Sequence, residues 1–434
     1  MSSTPRRIVI TGLGIISPLG STKQSLWEGL SQGRSGVQRL ANSLPVRIGS
    51  PCPQFTGEID NFGELDKETK KNIRKGLKVM CRECQMGVAA AQWALADATL
   101  KSASIAPERI GISFGADYML SLPEEFTEGI VRCVDAQGEF QFSRWGNEGM
   151  AKMSPLWLLK YLPNMPASHL AIYNDFRGPN NSLTLREASA NLALGEAFQI
   201  ILRDDADVML VGATGTRLHT MKTIHAVQQE EVCADHEEPA AASRPFDRHR
   251  NGMVLGEGAA AVVLEELSFA QARGATIYGE VLAAASSAVA GPRLIADRRQ
   301  AMQNVLKSVL RSSGLSPDAV GHVHAHGLST RTCDVDESRA IDDVFGRRDA
   351  PLPVVSAKGH LGNLGAGSGL IELIASLLAF EHTTLFPTLN GTAPDPECPV
   401  SVVRDGEVPP GENFINLSVT PQGQASAALV RRFV

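Results

Sequence analysis

Leu352-Pro353-Val354-Val355-Ser356-Ala357-Lys358-Gly359-His360-Leu361-Gly362-Asn363-Leu364-Gly365-Ala366 opens the stretch that decides the fold. A short apolar run bounded by proline reads as a buried strand over 352–356. A glycine-rich turn follows. An apolar, small-residue-rich segment then reads as a helix over 364–381. The same unit stands earlier in the chain, where a strand at 182–185 turns sharply into a helix at 187–203. Alanine and glycine let two such helices pack closely at the centre of a domain, and their likeness points to an internal duplication.

Outward from these two units, strands and helices alternate. Over 7–16 a buried strand followed by a glycine turn is expected, further strands at 109–115, 207–213, 259–265, 276–285, 320–325, 413–418 and 425–433, and helices at 78–97, 298–313 and 334–345. Such alternation predicts an α/β protein with largely parallel, buried sheets. Prolines 123, 155, 163 and 166 interrupt residues 117–170, which read as an inserted cap. Segment 234–242 reads as a surface loop.

Composition excludes several classes. The 434 residues are 43% hydrophobic and 20% charged, ordinary for a globular enzyme, and the net charge of −6 gives no footprint for nucleic acid. The first apolar run, Ile8-Val9-Ile10, is cut short by Thr11 and Gly12, and no run is long enough for a membrane helix, so a cytoplasmic protein is expected. Seven cysteines fit reduced thiols. Cys81 and Cys84 form one CxxC with no second pair at zinc spacing, and read as packed helix cysteines. Gly12-Leu13-Gly14 suggests a dinucleotide turn, but Ser17 replaces the third glycine and Pro18-Leu19-Gly20 does not start a helix. Histidines 322, 324 and 326 alternate on one strand, a spacing that rarely converges on one metal ion. No metal is expected.

Four islands carry a resemblance: Thr11 to Gly20; Ser243-Arg244-Pro245-Phe246-Asp247 running to Gly256-Glu257-Gly258; His324-Ala325-His326-Gly327-Leu328-Ser329-Thr330 with Asp334 and Glu337; and Ser356-Ala357-Lys358 through Gly362-Asn363-Leu364-Gly365-Ala366. Gly178-Pro179-Asn180 adds to them. In this order and spacing they resemble the β-ketoacyl carrier-protein synthases across nearly the whole chain. The resemblance implies the thiolase fold, two duplicated βαβαβαββ halves forming a five-layered αβαβα structure. The halves would be 1–266, carrying the cap, and 267–434, carrying the histidine and lysine/asparagine motifs. It also implies a dimer and an acyl carrier protein as partner. No cofactor is expected beyond the phosphopantetheine that the carrier brings.

In the family a cysteine at a helix N-terminus takes the acyl chain, and two histidines assist malonyl decarboxylation. Anchored on Gly195 and Ala197, the cysteine position falls on Glu187, preceded by Leu185 and Arg186 in place of small residues. The second histidine falls on Asn363. Lys358 and His326 are kept, Lys358 either in the site or as a strut for Glu337. The C-terminal gate reads Val419-Thr420-Pro421-Gln422-Gly423, so Pro421 and Gly423 join Thr330 and His324 as expected substrate-binding residues. Asp247, Arg244 and Glu257 read as internal salt-bridge and turn residues, and Cys333 as packing rather than a substitute nucleophile.

An acyl group on Glu187 would be a mixed anhydride, which hydrolyses rather than waiting for malonate. Ordinary elongation by this chain is therefore not expected. Two electrostatic influences oppose each other at Glu187: a helix N-terminus favours its anion and burial disfavours it. Arg186 could pair with it, or helix N–H groups could hold it as a plug. Three roles stay open. One is a non-elongating partner of a cysteine-bearing ketosynthase, like a chain-length factor. Another is a malonyl-thioester decarboxylase using Glu187, His326, Asn363 and Lys358. The third is a catalytically silent homodimer that binds an acyl chain.

Overall fold

The computed structural model describes residues 6–41, 44–100 and 105–433. Its core is a continuous eleven-stranded sheet. The strands are β1 (Ile8–Ile16), β2 (Ile110–Ala116), β3 (Asn180–Thr184), β4 (Val208–Thr216), β5 (Glu257–Glu266), β6 (Gly279–Ala288), β7 (His322–His324), β8 (Pro353–Val355), β9 (Ser401–Val402), β10 (Asn413–Val419) and β11 (Gln424–Arg431). Their spatial order is β9-β8-β7-β10-β11-β6-β1-β5-β4-β2-β3.

That order contains the duplication. Read outward from the seam between β1 and β6, one side runs β1-β5-β4-β2-β3 and the other β6-β11-β10-β7-β8, the same succession of first, last, penultimate, second and third strands. Helix α1 (Arg82–Asp97) covers the outer face of the first half, and α3 (Arg298–Ser313) with α4 (Cys333–Phe345) that of the second. Between the halves lie α2 (Ser189–Leu202) and α6 (Ser368–Glu381), which touch each other and strands of both sides. A one-turn helix, α5 (Lys358–Leu361), precedes α6. The result is the five-layered thiolase arrangement.

Burial explains these elements. Every residue of β1, β2, β4 and β10 is buried, so their apolar runs do not alternate with polar residues. Helix α6 is buried at every position except Glu381, as its small and aliphatic residues demand. The expected helix at 298–313 is observed with those bounds, and other elements shift by a few residues. Four residues of the predicted 78–97 helix, 78–81, lie before its α-helical start at Arg82.

Two expectations need correction. The sheet is not largely parallel: five strand pairings are parallel and five antiparallel. In each half the last strand runs against its neighbours. For β11 the cause is local, because the tight turn between Val419 and Gln424 can join only antiparallel strands. And Gly12-Leu13-Gly14 is not a turn but the middle of β1. A Cβ on Gly12 would stand 2.4 Å from the Ala94 carbonyl oxygen, and one on Gly14 would stand 1.9 Å from that of Ala90. These glycines let α1 lie directly on the strand.

Among the described residues no helix is long and apolar enough to cross a membrane. Residues 117–164 make only short helical turns. The signature residues Asp247 and Glu257 are structural, as expected. Asp247 accepts from Ala393 N at 2.6 Å, and Glu257 pairs with Arg82 at 2.6 Å.

Candidate functional site

The site forms where both halves meet at the N-terminal ends of α2 and α6. Strand β3 leaves the sheet at Thr184 and makes one 3-10 turn, Arg186–Ala188, before α2 begins. The Ser189 hydroxyl pins this turn, accepting from Leu185 N at 2.7 Å and donating to Ala116 O at 2.9 Å. Arg186 takes φ +52°, an uncommon conformation for a residue with a side chain. The turn carries the Glu187 side chain into the interior, where it is 1% exposed.

Two arginines meet it there. Arg217, wholly buried just after β4, donates a short hydrogen bond from Nη2 to Glu187 Oε1. Arg186 Nε lies 3.4 Å from Glu187 Oε2. Both arginines also reach Glu230, Arg186 at 2.7 Å and Arg217 at 3.2 Å. Four ion pairs therefore close into a ring of alternating charge, Arg186–Glu187–Arg217–Glu230. Asp117 stands 3.9 Å from Arg217 on the far side.

The ring settles the ionisation of Glu187. Burial pushes its pKa up, but Arg186 and Arg217 outweigh that, with the Asn363 amide adding to them, so the carboxyl is held well below the usual range. For Arg217, burial works against the cation, and Glu187, Asp117 and Glu230 more than compensate. The carboxylate takes its bonds from Arg217 and Asn363, not from helix N–H groups as a capping plug would, because the side chain turns inward across the turn rather than back over α2.

The second half supplies His326, Lys358 and Asn363. Glu337 on α4 fixes the loop after β7 by accepting from His326 N at 2.6 Å and Gly327 N at 2.7 Å. Burial raises the Glu337 pKa to about 8, against these hydrogen bonds. Lys358 Nζ donates to His326 O at 2.8 Å, lies 3.3 Å from His326 Nδ1 and pairs with Glu372 inside α6. Lys358 is thus a strut for His326, and its carboxylate partner is Glu372, not Glu337. Burial, and then Lys358, push the His326 pKa well below its ordinary value, so the ring is neutral. An ammonium facing Nδ1 places the ring proton on Nε2. That Nε2 has no hydrogen-bond partner among the described residues. Asn363 Oδ1 accepts from Gly365 N at 3.0 Å, which turns its amide nitrogen toward Glu187 Oε1 at 3.1 Å and Met253 Sδ at 3.2 Å.

Glu187, His326, Lys358 and Asn363 are therefore brought together. His324 is not. Its Nδ1 lies 2.9 Å from the Ser376 hydroxyl and its Nε2 accepts from Ala357 N at 3.3 Å. His322 shares that serine at 3.1 Å and bonds Pro410 O at 2.8 Å. Both rings are buried core groups with depressed pKa values, chiefly from burial, His322 at about 4. Strand β7 ends at His324, so period-two alternation does not carry on to His326.

A pocket of about 190 Å³ approaches the site from the surface, lined by Thr330, Pro421, Val419, Leu328, Met253 and Glu230 among others. Thr330 and Pro421 are among its lining residues. Gly423 does not line it. At φ +84° it closes the turn after β10 and packs against Val289 and Ala296. The pocket stops at Glu230, held by both arginines, and at Met253, held by Asn363. Arg186 also spans to Gln422 of the same turn, Nη1 to Oε1 at 3.4 Å. Cys333 lines the pocket too, but its thiol is pushed well above its ordinary pKa by burial.

Arg217, Glu230, Asp117 and Glu372 were not picked out from sequence. Glu372 had a signal: a lone carboxylate inside an apolar helix must be paired. Arg217 had a weaker one, an arginine closing a buried strand.

Similarity to known proteins agrees with this geometry. The family model "Beta-ketoacyl synthase, N-terminal domain" matches residues 5–270, and "Beta-ketoacyl synthase, C-terminal domain" matches 278–392. The 3-oxoacyl-[acyl-carrier-protein] synthase 2 of a Synechocystis species is 32% identical over 402 residues, 92% of this chain and 91% of the relative. The Staphylococcus aureus protein of that name is 30% identical over 407 residues, 92% of each. A β-ketoacyl synthase from Burkholderia phymatum superposes with TM-score 0.84 at 27% identity, covering 99% of this chain and 100% of the other. The ishigamide ketosynthase/chain length factor does so with TM-score 0.83 at 25% identity and the same coverage. Matched in sequence over most of its length and in structure throughout, the chain belongs to the β-ketoacyl synthase family.

Proposed function

We propose that this chain is a non-elongating partner subunit, like a chain-length factor, of a fatty acid or polyketide assembly working on acyl carrier protein thioesters. The observation that carries the proposal is the closed ring around Glu187. On this reading Glu187 occupies the family's nucleophile position. A carboxylate bound by two guanidiniums is a poor nucleophile. The Asn363 amide, which could polarise a thioester carbonyl, is already committed to Glu187. The pocket at Thr330 and Pro421 is the way in for a carrier's phosphopantetheine arm, and it ends at Glu230, which both ring arginines hold. The protein's working partner is a cysteine-bearing ketosynthase. Similarity to the ishigamide ketosynthase/chain length factor supports the pairing.

One observation favours a second reading, malonyl-thioester decarboxylation: the His326 Nε2–H, which has no partner among the described residues, is available to donate to a thioester oxygen. Against it, an ionised Glu187 repels the malonyl carboxylate. Intact mass of malonyl carrier protein after incubation with the pure chain, with and without an acyl carrier protein donor, decides between them. No change, together with co-purification of a cysteine-bearing paralogue, is expected. Acetyl carrier protein formed without a donor would establish the decarboxylase, and a ketoacyl product would overturn both readings. A stable homodimer indifferent to every such paralogue would leave the silent homodimer.

A further inference from the structure

Outside the ion ring, the CxxC pair stands in an arrangement that packing alone does not require. Cys81 is the N-cap of α1 and Cys84 lies one turn inside it, with their Sγ atoms 3.7 Å apart. Of the seven free cysteines Cys81 alone is not buried, and Cys84 is fully buried. Cys81 lines a second pocket, of about 340 Å³, with Met80, Leu120, Leu122, Tyr161 and Lys160 among its walls. The residues between the thiols are both anchored: Arg82 pairs with Glu257, and Glu83 with buried Lys222, while Glu83 also accepts from Thr216 N at 2.8 Å. The helix end that carries the thiols is thus held with the two sulfurs side by side.

We propose that Cys81 and Cys84 are a redox-active dithiol, a modification site opening on this pocket and oxidised reversibly by low-molecular-weight disulfides. An accessible first sulfur, a buried second sulfur and van der Waals contact between them are what two-step exchange requires. Cys81, as thiolate, attacks one sulfur of the small disulfide. One thiol leaves and a mixed disulfide forms at Cys81. Cys84 then attacks Cys81 Sγ, its proton passing to the departing small thiolate, which leaves as the second thiol. Two protein S–H bonds and one small S–S bond become one protein S–S bond and two small thiols, with two electrons passing from the dithiol to the disulfide. Closure shortens the sulfur separation from 3.7 Å to about 2.05 Å, within reach of side-chain rotation. In the reduced pair, the hydrogen bond to Cys81 and burial hold Cys84 protonated. The Met119 thioether, 3.7 Å from Cys81 Sγ and 3.6 Å from Cys84 Sγ, caps the pair on its third side.

The test incubates the folded full-length chain with graded ratios of oxidised to reduced glutathione, then denatures, alkylates and maps the peptides. Loss of two alkylatable thiols through a Cys81–Cys84 link, restored by excess reduced glutathione, is expected. Cys84→Ser should trap glutathione at Cys81. Cys81→Ser should take up none, and serine at an N-cap keeps α1 intact. Retention of all seven thiols, a link formed only in denatured protein, equal labelling of both variants, or a copper(I) ion retained on the three sulfurs of the purified protein would overturn the proposal.

Discussion

Replacing Arg217 by methionine tests the ion ring most directly. The guanidinium is fully buried and meets Glu187 through a hydrogen bond, Glu230 at 3.2 Å and Asp117 at 3.9 Å. Methionine removes the charge and keeps much of the volume. Glu187, 1% exposed, is then left with Arg186 at 3.4 Å and the Asn363 amide. Breaking a buried ion pair by removing one partner costs about 3–5 kcal/mol. Because Arg186 remains, the lower end, about 3 kcal/mol, is expected in urea denaturation at pH 7. Adding Glu187→Gln to Arg217→Met should recover about 1–3 kcal/mol, the coupling of contacting residues. The acid limb should change too. Glu187 has its pKa lowered on folding, so its contribution is present above the unfolded value near 4.5 and is lost as pH falls below it. Arg217→Met should flatten that loss. A cost under about 1 kcal/mol, where a surface substitution would fall, or a double variant no more stable than the single, would refute the ring as the organising element.

Lys358→Met should cost a similar amount, about 3–5 kcal/mol, by stranding Glu372, and Glu372→Gln should partly restore it in a paired thermal melt. His322 and His324 are buried neutral with pKa values below the ordinary 6.5, so their contribution is present above pH 6.5 and lost as pH falls toward 4. Buried Glu337, with its pKa raised to about 8, titrates in the opposite sense across the same window, so the check is a difference: His322→Gln should lower the slope of stability against pH by up to about 1.4 kcal/mol per unit relative to the parent chain, and an unchanged slope would count against burial of His322 as a neutral ring. Glu187→Cys alone should give no ketoacyl product from acyl and malonyl carrier proteins, since Arg186, Arg217 and Glu230 still close the pocket, and condensation at any rate above buffer would contradict that closure.

What could be read from sequence follows the range of the interactions. Glu187 was located by counting along a rigid helix from Gly195 and Ala197, and His326, Lys358 and Asn363 by motifs whose residues lie a few positions apart. Of Glu187's partners only the adjacent Arg186 could be named, and the others lie farther off. Arg217 follows it by thirty residues, and Asn363 by 176. Nothing local in Thr214-Gly215-Thr216-Arg217 says that the arginine turns inward, because that depends on how β4 ends against α6. The misreading of His324 has the opposite origin, a local rule carried past the last residue of the strand. Likewise the glycines of β1 carry the pattern of a turn but are required by the approach of a helix 80 residues on.

Residues far apart in the chain complete one polar cluster, and this bears on how the protein is made. A ribosome delivers Glu187, Arg217 and Glu230 well before Asn363 and Lys358 exist. Until α6 and its preceding loop arrive, the cluster can remain hydrated on an unfinished surface. The cost of drying those charges then falls on the final docking of the second half, so an N-terminal fragment should collect as a soluble, loosely closed intermediate. Sequence changes in the ring should accordingly alter the late, slow phase of refolding more than the early one.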